Sequence, residues 1–146
     1  MSSPRPNIKC VVTFGTSLTA RGGWQPALAH ALEEIYGHRV EVSIIAKSGE
    51  DSRWGLANVG RVIAAKPDVV LIEFAVNDAS LLHLISKNQS RRNTAAIVTR
   101  IREKVPAARI FLMSMSPAWG YRSWVRPFLN SYYDQQKELA HDLGIG

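Results

Sequence analysis

Ser17 is the residue whose type and position most directly suggest chemistry. It stands in Gly15-Thr16-Ser17, after an apolar, β-branched run from Ile8 to Phe14 that predicts a buried strand. Open α/β sheets place reactive groups just beyond the carboxyl ends of their strands, where a serine hydroxyl can act as a nucleophile. A serine that only caps a helix gives the same local pattern, so Ser17 alone does not define a function.

Two further polar segments follow predicted strands in the same way. Residues 48–51 read Ser-Gly-Glu-Asp after an apolar run that ends at Ile45, and Asn77-Asp78 follows a run that ends at Phe74. Parallel strands end at a common edge of their sheet. We therefore expect the loops of Ser17, Gly49 and Asn77 to converge.

The elements that must position these loops alternate along the chain. Apolar runs of strand length are followed by segments whose apolar residues recur at helical spacing. This alternation predicts a flavodoxin-like, three-layer αβα fold, with a mostly parallel sheet and no internal domain boundary within residues 1–146. The predicted strands are residues 8–14, 40–45, 69–74 and 110–115, and the predicted helices are 24–35, 51 or 52 to 63, 97–105 and 125–143.

Together the three loops resemble the sequence blocks of the SGNH, or GDSL-type, hydrolases, a family of esterases, lipases and carbohydrate-ester deacylases. The first block of that family reads Gly-Asp-Ser-Leu, and residues 15–18 read Gly-Thr-Ser-Leu. The second contributes a glycine, matched by Gly49, and the third reads Gly-x-Asn-Asp, matched by Ala-Val-Asn-Asp at residues 75–78. Thr16 thus replaces an aspartate and Ala75 a glycine. We expect the Thr16 hydroxyl to cap the turn and keep Ser17 in place.

The resemblance implies a hydrolase of carboxylic esters, acyl or O-acetyl, in small molecules or saccharides. It assigns the nucleophile to Ser17, which would form an acyl-enzyme. The oxyanion would be held by the backbone N–H groups of Ser17 and Gly49 and by the side-chain amide of Asn77. Asp78, beside Asn77, is expected to contribute to substrate binding.

The general base is the part of the family pattern that the sequence does not supply. The family carries an Asp-x-x-His block after a fifth strand, and residue 146 falls where that strand would begin. His83 is the histidine that we place at the same edge as Ser17, so it is the internal candidate for the base. His30, His38 and His141 are predicted on the helix surface or at the opposite edge.

Two explanations of the missing block remain open. The chain is either a single domain truncated at its C-terminus, which we favour, or a complete form with impaired catalysis. In the second case it would be a non-catalytic α/β module that keeps the pocket to bind a ligand or a partner. A missing fifth strand would also expose the edge of the strand at 110–115, which predicts self-association there.

Aromatic and basic residues are predicted around the same edge of the sheet. Trp54 and Trp119 could line a substrate wall, although core packing explains an aromatic residue equally well. Arg122 is a candidate substrate-binding residue, and the nearby Arg53 and Arg126 would add to a preference for anionic substrates.

Composition excludes several other classes of protein. The chain has a net charge of +6, but its arginines are scattered and no nucleic-acid-binding motif accompanies them. No apolar run approaches the roughly 20 residues that span a bilayer, and residues 1–6 form neither a signal nor an anchor. We therefore expect no nucleic-acid or membrane partner, no metal or other cofactor, and a cytoplasmic location, which a single cysteine also fits.

Overall fold

Four parallel strands form the centre of the molecule, in the order β2-β1-β3-β4. The computed structural model describes residues 7–115 and 120–146. This arrangement confirms the flavodoxin-like α/β fold expected from the alternation of strands and helices. The strands are β1 (Cys10–Gly15), β2 (Glu41–Ala46), β3 (Val69–Glu73) and β4 (Arg109–Leu112). The helices are α1 (Ser17–Ala20), α2 (Gln25–Tyr36), α3 (Ser52–Ala64), α4 (Ala75–Asp78), α5 (Lys87–Lys104), α6 (Tyr121–Trp124) and α7 (Leu129–Leu143).

Alternating side chains of the strands supply two separate apolar layers. Val11 belongs to the layer that packs against α2, and its neighbour Val12 belongs to the larger layer that packs against α3 and α5. Successive residues of a strand point to opposite faces, so the continuous apolar runs of the sequence mark strands covered on both sides.

The register of the sheet brings the three loops to one edge. Gly15, the last residue of β1, is level with Ala46 at the end of β2 and with Glu73 at the end of β3. The segments that contain Ser17, Gly49 and Asn77 therefore all start from the same line across the sheet.

The helices differ from the sequence prediction mainly at their beginnings. α5 begins at Lys87, well before the predicted residue 97, because Ser86 caps it and its first half buries Ser90, Asn93 and Thr94 instead of apolar residues. The last helix, predicted from residue 125, begins at Leu129. The single turns α1, α4 and α6 were not predicted, because four residues are too few to show a helical period.

The outer edge of β4 carries the last residue of the chain. Gly146 donates a hydrogen bond to the Ile110 carbonyl at 3.2 Å and accepts one from the Leu112 N–H at 2.8 Å. Gly146 thus lies beside β4 in the position of a fifth strand. Self-association through residues 110–115 remains a prediction. Within residues 7–115 and 120–146, no helix has the length and apolar character needed to cross a membrane.

Candidate functional site

Ser17 is the first residue of the short helix α1. Its side chain is half-buried, and it makes no hydrogen bond to any residue that the structure describes. Thr16 caps the helix in an extended conformation, and its hydroxyl accepts from the Leu18 N–H at 3.5 Å. The expectation that Thr16 caps the turn is confirmed.

Glu73, at the end of β3, lies directly beneath this turn. It is 1% exposed, and its carboxyl group accepts hydrogen bonds from the Thr16 N–H at 3.1 Å, the Thr16 hydroxyl at 2.9 Å and the Thr19 hydroxyl at 3.1 Å. We did not predict this contact. A lone acidic residue at the end of an otherwise apolar strand was the signal available in the sequence.

Burial governs the protonation of Glu73. Loss of hydration raises its pKa to about 7, and the negative charge of Asp78 adds to the rise, while the hydrogen bonds from Thr16 and Thr19 partly oppose it. The group that supports the serine turn therefore titrates near neutral pH.

Close packing leaves no room for a side chain at Gly15. A methyl group there would lie 2.5 Å from the Glu73 carbonyl oxygen and 2.7 Å from both the Glu73 carboxyl and the Thr19 hydroxyl. The close approach of the two strand ends therefore requires a glycine at this position. Its backbone conformation does not, because its φ lies outside the left-handed region.

Gly49 is required for a different reason. Its φ is +78°, in the left-handed region that other residues rarely adopt, and a methyl group there would meet no atom within 4 Å. Gly49 is exposed in its loop.

The Asn77 side chain is buried and held from two sides. Its Nδ2 donates to the Glu50 carbonyl at 2.6 Å, and its Oδ1 accepts from Nη2 of Arg126 at 3.1 Å. These contacts orient the amide, and one of its two N–H bonds remains for a ligand. They also join the loop of Asn77 to the residue that follows Gly49.

Arg126 has a structural contact that the sequence did not reveal. Its guanidinium donates to Asn77, to the Val76 carbonyl at 2.6 Å and to the Arg122 carbonyl at 3.2 Å. Burial and the nearby Arg122 lower its pKa. Arg126 therefore positions Asn77, and its predicted preference for an anionic substrate stays a prediction.

Asp78 ties three segments together beneath the site. Its carboxylate is 1% exposed and accepts from the Ser52 N–H at 2.9 Å and from the Ser90 hydroxyl, which links the start of α3 to α5. Burial raises its pKa. This is a structural contact, and the predicted contact with substrate stays a prediction.

His83 is paired with a carboxylate that we did not associate with it. Its Nδ1 lies 2.9 Å from Oδ2 of Asp51, which also caps α3 and binds Arg53 at 2.7 Å. Burial alone would raise the pKa of Asp51, but the hydrogen bonds from Arg53 and His83 outweigh it and lower the pKa to about 2. Within the described residues, no hydrogen bond joins His83 to Ser17.

The remaining predicted binding residues have different surroundings. Trp54 packs partly buried against the core, with ring centroids 5.9 Å from Phe14 and 6.3 Å from Phe74. Arg122 is exposed on α6. Trp119 lies outside the described residues, so its predicted role is not tested.

The hydrogen bonds tie neighbouring loops into one framework. Glu73 joins the end of β3 to the serine turn, and Asn77 joins α4 to the loop after Gly49. The framework presents a half-buried serine, an exposed glycine and an oriented amide at one edge of the sheet. Among residues 7–115 and 120–146, no group of three His, Cys, Asp or Glu side chains is placed to hold a metal ion.

Comparison with known proteins gives a consistent family. The sequence model of the GDSL-like lipase/acylhydrolase family matches residues 12–146. A GDSL esterase/lipase from Arabidopsis thaliana is 29% identical over 121 residues, which cover 73% of this chain and 48% of that protein. The chain thus spans about half the length of this curated relative.

Solved structures give the same fold. A lipase/acylhydrolase from Enterococcus faecalis has a TM-score of 0.79 at 24% identity, with 94% of this chain and 74% of that chain covered. The structure of TesA has a TM-score of 0.73 at 22% identity, with 94% of this chain and 76% of that chain covered. At these identities the likeness shows the fold alone.

Proposed function

The chain belongs to the GDSL-like lipase/acylhydrolase family, and on that premise we propose that it cleaves carboxylic esters through an acyl-enzyme on Ser17. The substrate class is an acyl or O-acetyl ester of a small molecule or saccharide. Attack by the Ser17 hydroxyl on the carbonyl carbon forms a tetrahedral intermediate with negative charge on the former carbonyl oxygen. Collapse releases the alcohol, and water then hydrolyses the acyl-serine.

The observation that carries this proposal is the orientation of the Asn77 amide. Arg126 binds its oxygen and the Glu50 carbonyl takes one N–H, so the second N–H is held in place before any substrate arrives. A donor that needs no reorganisation stabilises the developing oxyanion more than a mobile one does. With the N–H groups of Gly49 and Ser17, it would complete an oxyanion hole, and loss of one donor would cost about a hundredfold in rate.

The general base has two possible sources. One is His83, whose imidazole is oriented by Asp51 in the way that a catalytic dyad requires. The other is the histidine of the family's Asp-x-x-His block, which residues 1–146 do not contain. Nucleophile and base act as a unit, so a chain without its base would acylate slowly. His83→Gln separates the two sources, because acylation of Ser17 falls by at least about a hundredfold only if His83 is the base.

The nucleophile is tested by labelling and by kinetics together. A fluorophosphonate probe followed by mass spectrometry should modify Ser17, and p-nitrophenyl acetate should give a burst of nitrophenol. Ser17→Ala should abolish both, whereas Ser114→Ala, which removes an exposed hydroxyl after β4, should leave both unchanged. If Ser17 stays unlabelled and Ser17→Ala hydrolyses the ester as fast as the wild type, the chain is not a serine hydrolase and its loops bind a ligand instead.

A further inference from the structure

Exposed hydrophobic side chains are concentrated in two short segments of the described structure. Six of the eight large hydrophobic residues with high exposure lie within residues 81–84 and 121–128. They include Leu82 at 78%, Leu84 at 88% and Trp124 at 84% exposure. The other three are Leu81, Tyr121 and Phe128. Apolar groups clustered in this way mark a binding surface more often than singly scattered ones do.

The two segments are joined to each other. The Leu81 N–H donates to the Val125 carbonyl at 2.8 Å, which places the loop of residues 81–84 beside the segment of residues 121–128. We call these two segments the apolar rim. The Arg126 side chain binds Asn77, so the apolar rim adjoins the candidate active site.

The loop of the apolar rim has the reverse of the usual burial pattern. Its polar residue, His83, turns inward to Asp51, and the Arg53 guanidinium donates to the His83 carbonyl at 3.1 Å. Leu84 adopts a φ of +53°, which is unfavourable for a residue with a side chain. The fold thus keeps the His83 side chain mostly buried and leaves the three leucines exposed, and the positive φ of Leu84 makes this conformation unfavourable in energy.

Exposed charges along the apolar rim are mainly basic, and the acidic side chain that contacts it, Asp51, is buried and paired with Arg53. Residues 79–92 and 120–133 contain no Asp or Glu, but they contain five lysine or arginine residues: Lys87, Arg91 and Arg92 after the loop, and Arg122 and Arg126 in the second segment. Arg91 is paired with Asp142 at 2.6 Å. Lys87, Arg92 and Arg122 have no acidic partner among the described residues. An apolar surface with a cationic border is complementary to a lipid interface with anionic headgroups.

We propose that the apolar rim docks the protein on the surface of an anionic lipid bilayer. Leu82, Leu84 and Trp124 would enter the boundary between headgroups and acyl chains, while Lys87 and Arg122 pair with anionic headgroups. This differs from the expectation drawn from the sequence, which considered only segments long enough to span or anchor. The proposal does not depend on ester hydrolysis.

Vesicle sedimentation tests the proposal without any measurement of activity. The 146-residue chain is mixed with phosphatidylcholine vesicles and with vesicles that contain a quarter phosphatidylglycerol. We expect clear binding to the second kind and at least about fivefold weaker binding to the first. Leu82→Ser and Trp124→Ser should each weaken binding to the anionic vesicles by about tenfold. Ser17→Ala should bind as the wild type does.

Matched variants control for surface hydrophobicity and for folding. Ile35→Ser removes an apolar side chain of 57% exposure on α2, away from the apolar rim, and should not change vesicle binding. Leu84→Asn, which tolerates a positive φ, is a second rim variant if Leu82→Ser is unstable. Lys87→Glu should weaken binding about fivefold or more.

Three outcomes overturn the proposal. The first is no binding to anionic vesicles, and the second is binding that the rim variants do not change. The third is a dimer in light scattering that Trp124→Ser converts to a monomer while vesicles do not bind, which would make the apolar rim a contact between two copies of the chain.

Discussion

Replacement of Glu73 by glutamine should change how the stability of the protein depends on pH. The carboxyl group has a pKa of about 7 in the folded protein, against 4.5 for an ordinary glutamate. At about 1.4 kcal/mol per pKa unit, the difference corresponds to roughly 3 kcal/mol. Below pH 4.5 both the folded and the unfolded state keep the proton, so the shift has no effect on stability.

Between pH 4.5 and 7 the two states differ. The unfolded chain loses the proton as pH rises while the folded protein keeps it, so the free energy of unfolding falls by up to about 3 kcal/mol and then levels off above pH 7. Glu73→Gln cannot ionise and lacks this loss. As pH rises from acid to mildly alkaline, the free energy of unfolding of the variant should therefore increase by about 3 kcal/mol relative to that of the wild type, whatever the stability of the variant at pH 5.

Urea denaturation at pH 5, 6, 7 and 8 measures this difference directly. Titration of other groups occurs in both proteins and cancels in the comparison. Glu103→Gln, which removes an exposed carboxyl on α5, is the matched control and should show no such trend. If the difference between wild type and Glu73→Gln does not change with pH, the reasoning from burial and hydrogen bonding to the raised pKa is refuted.

Three further outcomes test the packing and the loops. In α3, Gly55→Ala would place a methyl group 2.6 Å from the Phe74 ring and should destabilise the protein by about 1–3 kcal/mol. Gly60→Ala, whose methyl group would meet nothing within 4 Å, should stabilise it by up to about 1 kcal/mol. Thermal unfolding compares the two variants, and equal effects would contradict the packing described for Gly55. Gly49→Ala is expected to cost about 1 kcal/mol from its φ of +78° alone and to slow the p-nitrophenyl acetate burst, and an unchanged burst would argue against a role of this loop. The ionised Asp51 contributes stability that is present above pH 4 and is lost as pH falls towards 2, and Asp51→Asn should remove it. In urea denaturation, the difference in free energy of unfolding between wild type and variant should therefore be larger at pH 5 than at pH 2.5. A constant difference would count against the lowered pKa.

The general architecture was predictable because its signals are local. Continuous apolar runs identified the strands, and helical spacing identified α2, α3, and the later part of α5. The expectation that the loops of Ser17, Gly49 and Asn77 lie at the same edge then followed from the rule that parallel strands end at one edge of their sheet. The beginning of α5 was missed because its inward face is polar. Its buried Ser90 and Asn93 are hydrogen-bonded to Asp78 and Ser52, distant partners that no local pattern reveals.

The supports of the candidate site were not predictable in this way. Glu73 binds Thr16 across 57 residues of sequence, Asn77 binds Arg126 across 49, and His83 binds Asp51 across 32. No periodicity or spacing relates the members of these pairs. The sequence suggested that Arg126 could favour an anionic substrate, which stays a prediction, and it did not reveal that Arg126 holds Asn77.

The sequence by itself determined the α/β fold, the edge at which the polar loops meet and the residue types available there, because hydrophobic period and chain alternation act over short distances. Only the tertiary structure decided which polar groups are buried, what each one is hydrogen-bonded to and which side chains face outward. Those properties depend on how distant segments pack. Packing buries Glu73 and thereby raises its pKa, and it leaves the leucines of residues 81–84 exposed to solvent.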